Sequence, residues 1–163
     1  MNRAVILIRN RQRCHGIDSR YLHRIILHLL QKELTSENFE LGVHLVGETA
    51  MIRANEGYLQ HEGCTDVITF DHSMPDRVPC LHGDLLVCVP EAVRQAKRFR
   101  VTWQSEVVRY IVHGILHLRG YDDHSASDRR KMKEMENRIL SRLTREFDLN
   151  GVSAPQRKTS QLR

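Results

Sequence analysis

The stretch that most constrains this chain is His113-Gly114-Ile115-Leu116-His117-Leu118-Arg119-Gly120-Tyr121-Asp122-Asp123-His124. Two histidines four residues apart on a helix stand one above the other on the same face. A divalent metal can then take two imidazoles from one rigid element. Gly120 follows His117 by three residues, and glycine tolerates the left-handed conformation that ends helices. The chain can turn back there and offer a third ligand from the next loop, where Asp123 and His124 stand.

The helical period supports this reading over roughly 105–119. Val107, Val108, Ile111, Val112, Ile115, Leu116 and Leu118 fall on one broad side, while Glu106, Tyr110, His113 and His117 fall on the other. The pattern predicts an apolar side buried against a sheet and a polar side on a cleft. Two histidines at this spacing are often plain polar-face residues; the added Gly120 and the Asp123/His124 pair turn the balance toward metal.

Around that helix the chain reads as alternating strands and helices. Strands are expected near 3–9, 40–46, 67–70 and 83–89, each rich in β-branched or alternating apolar residues. Asp18 or Ser19 can cap a helix whose stripe Leu22, Ile25, Ile26, Leu29 and Leu30 is core, with His23 and His28 at its edge. Further helices are expected at 48–58, after Pro90 to 100, and from a Ser125 or Ser127 cap to 145. A loop with Pro75 and Pro79 separates the third and fourth strands. The length and the 40% apolar content fit one domain over 1–149. Residues 150–163 carry little apolar material and are expected to form a disordered tail.

The net charge of +5 favours an acidic partner, nucleic acid first. No CxxC pair occurs among Cys14, Cys64, Cys80 and Cys88, which argues against a cysteine zinc ribbon. The apolar run 4–8 is too short for a signal segment or a membrane span. These features predict reduced thiols, a cytoplasmic location and no membrane association.

The stretch 113–124 resembles the signature of the YbeY family of metal-dependent endoribonucleases, H-x3-H-x5-H with the third histidine directly after Gly-Tyr-Asp. A second motif of that family, N-x-x-[YF]-R-x4-P-T-D-V-L-S-F, is matched at Asn55, Tyr58, Thr65, Asp66, Val67 and Phe70. Gly83-Asp84 resembles the family's Gly-Asp-Ile segment. Three departures stand out. Asp123 holds the third-ligand position and His124 is one residue late; Leu59 replaces an arginine linked to activity; Cys64 replaces the proline. By spacing Asp123 is the third ligand, with His124 the alternative. A carboxylate there would suit harder metals better than three imidazoles do.

The resemblance implies an α+β fold, a four-stranded mixed sheet with packed helices of the zincin-like YbeY type. It implies zinc, one per chain, held by His113 and His117, which carry the catalysis, and a third ligand. It also implies a single-strand-specific endoribonuclease of ribosomal RNA processing, acting on the 3′ end of 16S RNA and in ribosome quality control, with the small subunit as partner.

Three ligands leave a fourth metal position open, as in catalytic sites. Such an ion can lower the pKa of a water it binds to about 7. Zincin peptidases place a glutamate general base after the first histidine, whereas Gly114 stands here. Phosphodiester cleavage fits better, since a metal and cations stabilise its anionic transition state. Arg94, Lys97, Arg98 and Arg119 are the candidates for backbone phosphates of single-stranded RNA. Few aromatics occur and no stacking cluster is evident, so base-specific readout is not expected. The alternatives are a zincin-type metallopeptidase, or a non-catalytic ribosome assembly factor with a structural metal, to which Leu59 lends weight.

Overall fold

The computed structural model describes residues 2–75 and 80–155. Its order is β1 (Ala4–Asn10), α1 (Ser19–His28) running into a π-helical turn (Leu29–Glu33), β2 (Phe39–Val46), α2 (Glu48–Leu59), β3 (Val67–Asp71), β4 (Leu81–Cys88), α3 (Val89–Phe99), α4 (Trp103–Leu118), α5 (Ala126–Glu146) and a 3-10 turn (Leu149–Val152). The sheet order is β1-β2-β4-β3. β1, β2 and β4 run parallel and β3 pairs antiparallel with β4. The fold is the expected α+β class with a four-stranded mixed sheet. Asp18 caps α1, accepting from the Arg20 and Tyr21 amides, and Ser125 caps α5, accepting from Asp128. Residues 76–79, including Pro79, lie outside the described residues.

The sheet's two faces differ. Phe39, Leu41, Val43 and Leu45 of β2 and Leu81, Leu85 and Val87 of β4 pack into one core with α1, α4 and α5. The alternate residues face the other way, where α2 covers one end through Val46, Met51, Ala54, Ile68 and Cys88. This alternation follows from the period of two along a strand.

α4 is the central helix. Thr102 caps it, accepting from the Ser105 amide at 3.2 Å. Gly114 lets it approach the sheet closely, since a Cβ there would come within 2.7 Å of Leu85 Cδ2 and 3.3 Å of Val67 Cγ2. Its end is a Schellman turn: Gly120 has φ +92°, its N–H donates to the His117 carbonyl at 3.0 Å, and Tyr121 N–H donates to that of Leu116 at 3.0 Å.

Two expectations need correction. Glu106 and Tyr110 were expected on the cleft side, yet they are only 7% and 4% exposed. α3 and α5 pack along α4, so Glu106 and Tyr110 are enclosed while Arg109, His113 and His117 stay partly open. The expected disordered tail from residue 150 is packed as far as Ala154, whose N–H donates to the Gly16 carbonyl at 3.0 Å. Val152 is fully buried, Ile17 bridges to Ser153, and Gly151 sits against the Tyr21 ring. One well-placed apolar side chain and the Asp148 cap order a segment of low apolar content. Residues 156–163 lie outside the described residues. Among the described residues no helix is long and apolar enough to cross a membrane.

Candidate metal centre

The histidine pair and the loop after Gly120 meet at one point. His113 Nε2 and His117 Nε2 are 3.0 Å apart. An Asp123 carboxylate oxygen lies 3.6 Å from the first and 3.5 Å from the second. Ligands about 2.0–2.1 Å from a tetrahedral zinc are roughly 3.3–3.4 Å apart, so this triangle has the size of one face of such a site. The three side chains are 20%, 27% and 39% exposed, which leaves one side open to solvent. The donor set of two imidazoles and a carboxylate fits a divalent ion.

The loop is fixed from α5. Arg129 Nη1 donates to the carbonyls of Asp123 at 3.4 Å and His124 at 3.0 Å. The His124 side chain is 88% exposed, with Nε2 3.3 Å from Asp122. It points away from the histidine pair. Asp122, Asp123 and His124 also lie close to one another, but there Asp122 and His124 are exposed, whereas His113, His117 and Asp123 are all partly enclosed.

Glu136 stands behind the pair. It is a buried residue of α5, and one carboxylate oxygen meets His113 Nδ1 while the other lies 3.3 Å from Arg109 Nη1. A carboxylate accepts, so Nδ1 holds the proton and Nε2 faces His117 and Asp123. Burial by itself pushes the His113 pKa down. The Glu136 hydrogen bond and charge, with the charges of Asp66 and Asp123, outweigh it and raise the pKa above the ordinary histidine value. Arg109, one turn before His113, also lies 3.6 Å from Glu106 and donates to Asn137 at 3.1 Å. Burial raises the Glu106 pKa, against the pull of Arg109 and with the help of Glu136 and Asp66.

Neither Glu136 nor Arg109 was expected from sequence. The signal was present for Glu136, a lone carboxylate on the buried stripe Met132, Ile139, Leu140 and Leu143. Arg109 precedes His113 by four residues and so shares its helix face.

The cations expected to bind phosphate are not drawn to the histidine pair. Arg94 is 3.1 Å from Glu48 and 2.6 Å from Glu91. Burial raises the Glu91 pKa, but hydrogen bonds from Gln95 and Arg94 and the Arg94 charge bring it below the usual carboxylate value. Arg119 donates to Ser36 at 3.2 Å. Lys97 and Arg98 are exposed on α3, and Arg98 lies over the Phe99 ring. Leu59 is 45% exposed at the end of α2. An aromatic pair that the sequence did not suggest is present nearby: Tyr58, largely exposed, sits edge-on to Phe70 with centroids 5.2 Å apart.

Comparison with known proteins bears on the fold and the family. The family model described as Endoribonuclease YbeY matches residues 7–144. A protein named Endoribonuclease YbeY from Chlorobium luteolum is 33% identical over 129 residues, covering 79% of this chain and 91% of the relative. One of the same name from Finegoldia magna is 31% identical over 144 residues, covering 85% and 94%. The solution structure of TM1509 from Thermotoga maritima superimposes with a TM-score of 0.63 at 23% identity, over 94% of this chain and 99% of that one, and supports the same fold. With the matched model spanning most of the sheet, the histidine pair and most of α5, the chain belongs to the YbeY endoribonuclease family.

Proposed function

We propose that this chain is a metal-dependent endoribonuclease that cleaves single-stranded RNA. Its substrate is ribosomal RNA, in maturation of the 16S 3′ end and in ribosome quality control, with the small subunit as partner in the cytoplasm. The observation that carries the reading is the convergence of His113, His117 and Asp123 on one partly open point, in a chain of an endoribonuclease family.

His113, His117 and Asp123 would hold one divalent ion, zinc first, with His124 turned outward. When bound, the ion supplies a Lewis acid and lowers the pKa of water. The chain's own residues do the rest. Glu136 holds the Nδ1 proton of His113 and so keeps its Nε2 available. Arg109 steadies Glu136 from the other side. Asp123 lowers the net charge of the site relative to a third imidazole, which favours harder ions.

Backbone phosphates would be held by Lys97 and Arg98, with Arg119 at the end of α4; Arg94 contributes less because Glu48 and Glu91 occupy it. Gly114 weighs against peptide hydrolysis. It points at Leu85 and Val67, so a glutamate there would meet the sheet instead of acting as general base. Leu59 favours one second reading, a non-catalytic assembly factor with a structural metal.

The test uses single-stranded RNA, double-stranded RNA and casein, with the metal stripped by chelation and restored. Metal-restored cleavage of the single strand alone is expected. Binding of RNA without cleavage under every divalent metal would favour the assembly factor, and casein turnover would favour the peptidase.

A further inference from the structure

Cys64 Sγ and Cys88 Sγ lie 3.4 Å apart. A disulfide needs about 2.05 Å, so bond formation asks for a small closure. The backbone already holds the two segments together, with Cys88 N–H donating to the Asp66 carbonyl at 2.9 Å. Asn55 Nδ2 ties the same loop at the Gly63 carbonyl, 3.0 Å away. The sulfurs differ in access. Cys64 is partly exposed and Cys88 is fully buried, in the cluster of Val46, Met51, Ala54 and Ile68. An oxidant in solution therefore meets Cys64 first, and the neighbour waiting for that sulfur is Cys88. Cys64 also stands where the family motif has proline, so the pair is a feature of this chain beyond the motif.

We propose that Cys64 and Cys88 form a site of oxidative modification, at which a peroxide joins them in a reversible disulfide. In the first step the Cys64 thiolate attacks one peroxide oxygen. The O–O bond breaks, the departing hydroxide takes a proton to become water, and Cys64 is left as sulfenic acid. In the second step the Cys88 sulfur attacks the Cys64 sulfur. The S–S bond forms, the S–O bond breaks, and the Cys88 proton leaves with the hydroxyl as a second water. The two thiols lose two electrons to one peroxide. Burial pushes the Cys88 thiol up to about 12, helped by contact with Cys64 and opposed by the Glu91 amide and Arg94. Close placement offsets the scarcity of thiolate.

The test treats the full reduced chain with hydrogen peroxide, alkylates it after denaturation, and maps peptides by mass. The expected product lacks two hydrogens, contains a Cys64–Cys88 cross-link and is reversed by dithiothreitol, with Cys14 and Cys80 still alkylated. Cys64→Ser, at the partly exposed position, should abolish the cross-link and leave Cys88 alkylatable. Cys64 advancing to sulfinic acid while Cys88 stays free, or a cross-link running through Cys14 or Cys80, would overturn the proposal.

Discussion

Among the described residues, two clusters combine a pair of histidines with carboxylates, and they are built in opposite ways. On the open face of the sheet, Asp84 stands between His44 and His72. One carboxylate oxygen is 2.9 Å from His44 and the other 2.8 Å from His72. Each imidazole spends its Nε2 on the aspartate, and Gly42 makes room for the contact, since a Cβ there would fall 1.9 Å from Asp84 Oδ1. At the end of α4 the order is reversed. The supporting carboxylate, Glu136, engages Nδ1 from behind, and both Nε2 atoms meet Asp123 in front. The same residue types give an internally satisfied hydrogen-bond cluster in one place and a converging donor set in the other. Which nitrogen the carboxylate takes decides the difference.

The clusters also differ in the pH at which they support the fold. Burial raises the Asp84 pKa, but hydrogen bonds from His44 and His72 lower it further, with a net fall. A lowered carboxylate contributes stability above its unfolded pKa and loses it as pH falls through the folded value. His113 has a raised pKa. In the metal-free protein its contribution is full below the unfolded histidine value and is lost as pH rises through the folded one.

The largest effect should come from removing a converging donor. His117→Ala should take the bound divalent ion from about one per chain to near zero, because two remaining ligands hold an ion weakly. Elemental analysis after gel filtration reads this directly, and unchanged stoichiometry would refute the site. A smaller loss should follow from Glu136→Gln. Outer-shell partners are worth about 10–100-fold in metal affinity, and the raised His113 pKa makes protons compete with metal from a higher pH than for an ordinary histidine. The variant should bind metal more weakly at high pH, and its affinity should start to fall at lower pH than in the wild type. An affinity–pH curve that does not move would remove Glu136 from the site. The smallest effect belongs to the sheet face, where His44→Ala and His72→Ala should leave metal content unchanged. A drop of one ion per chain in either would mean that Asp84 does hold metal.

Much of this was legible in the sequence because the controlling physics is local. The strand runs, the Asp18 and Ser125 caps, and the turn at Gly120 are each set within a few residues, whereas the start of α4 at Trp103 under the Thr102 cap was not read. The turn at Gly120 brings Asp123 and His124 alike back toward the histidine pair, and the preference for Asp123 rested on the five-residue spacing of the family motif. Glu136 could not be assigned by local spacing, because it reaches His113 from another helix across 23 residues of sequence. The burial of Glu106 and Tyr110 was hidden for a related reason. Periodicity says which residues share a face of α4, but α3 and α5 decide whether that face meets water. Val152 escaped notice because a single side chain in a polar segment makes no pattern.

A metal-affinity titration of Asp123→Ala beside His124→Ala decides whether Asp123 completes the donor set with His113 and His117. Asp123→Ala should lose more than the roughly 100-fold that marks the upper range for an outer-shell partner. His124→Ala, whose side chain is 88% exposed and turned to Asp122, should match the wild type. The reverse ranking would hand the third position to His124 and contradict the account.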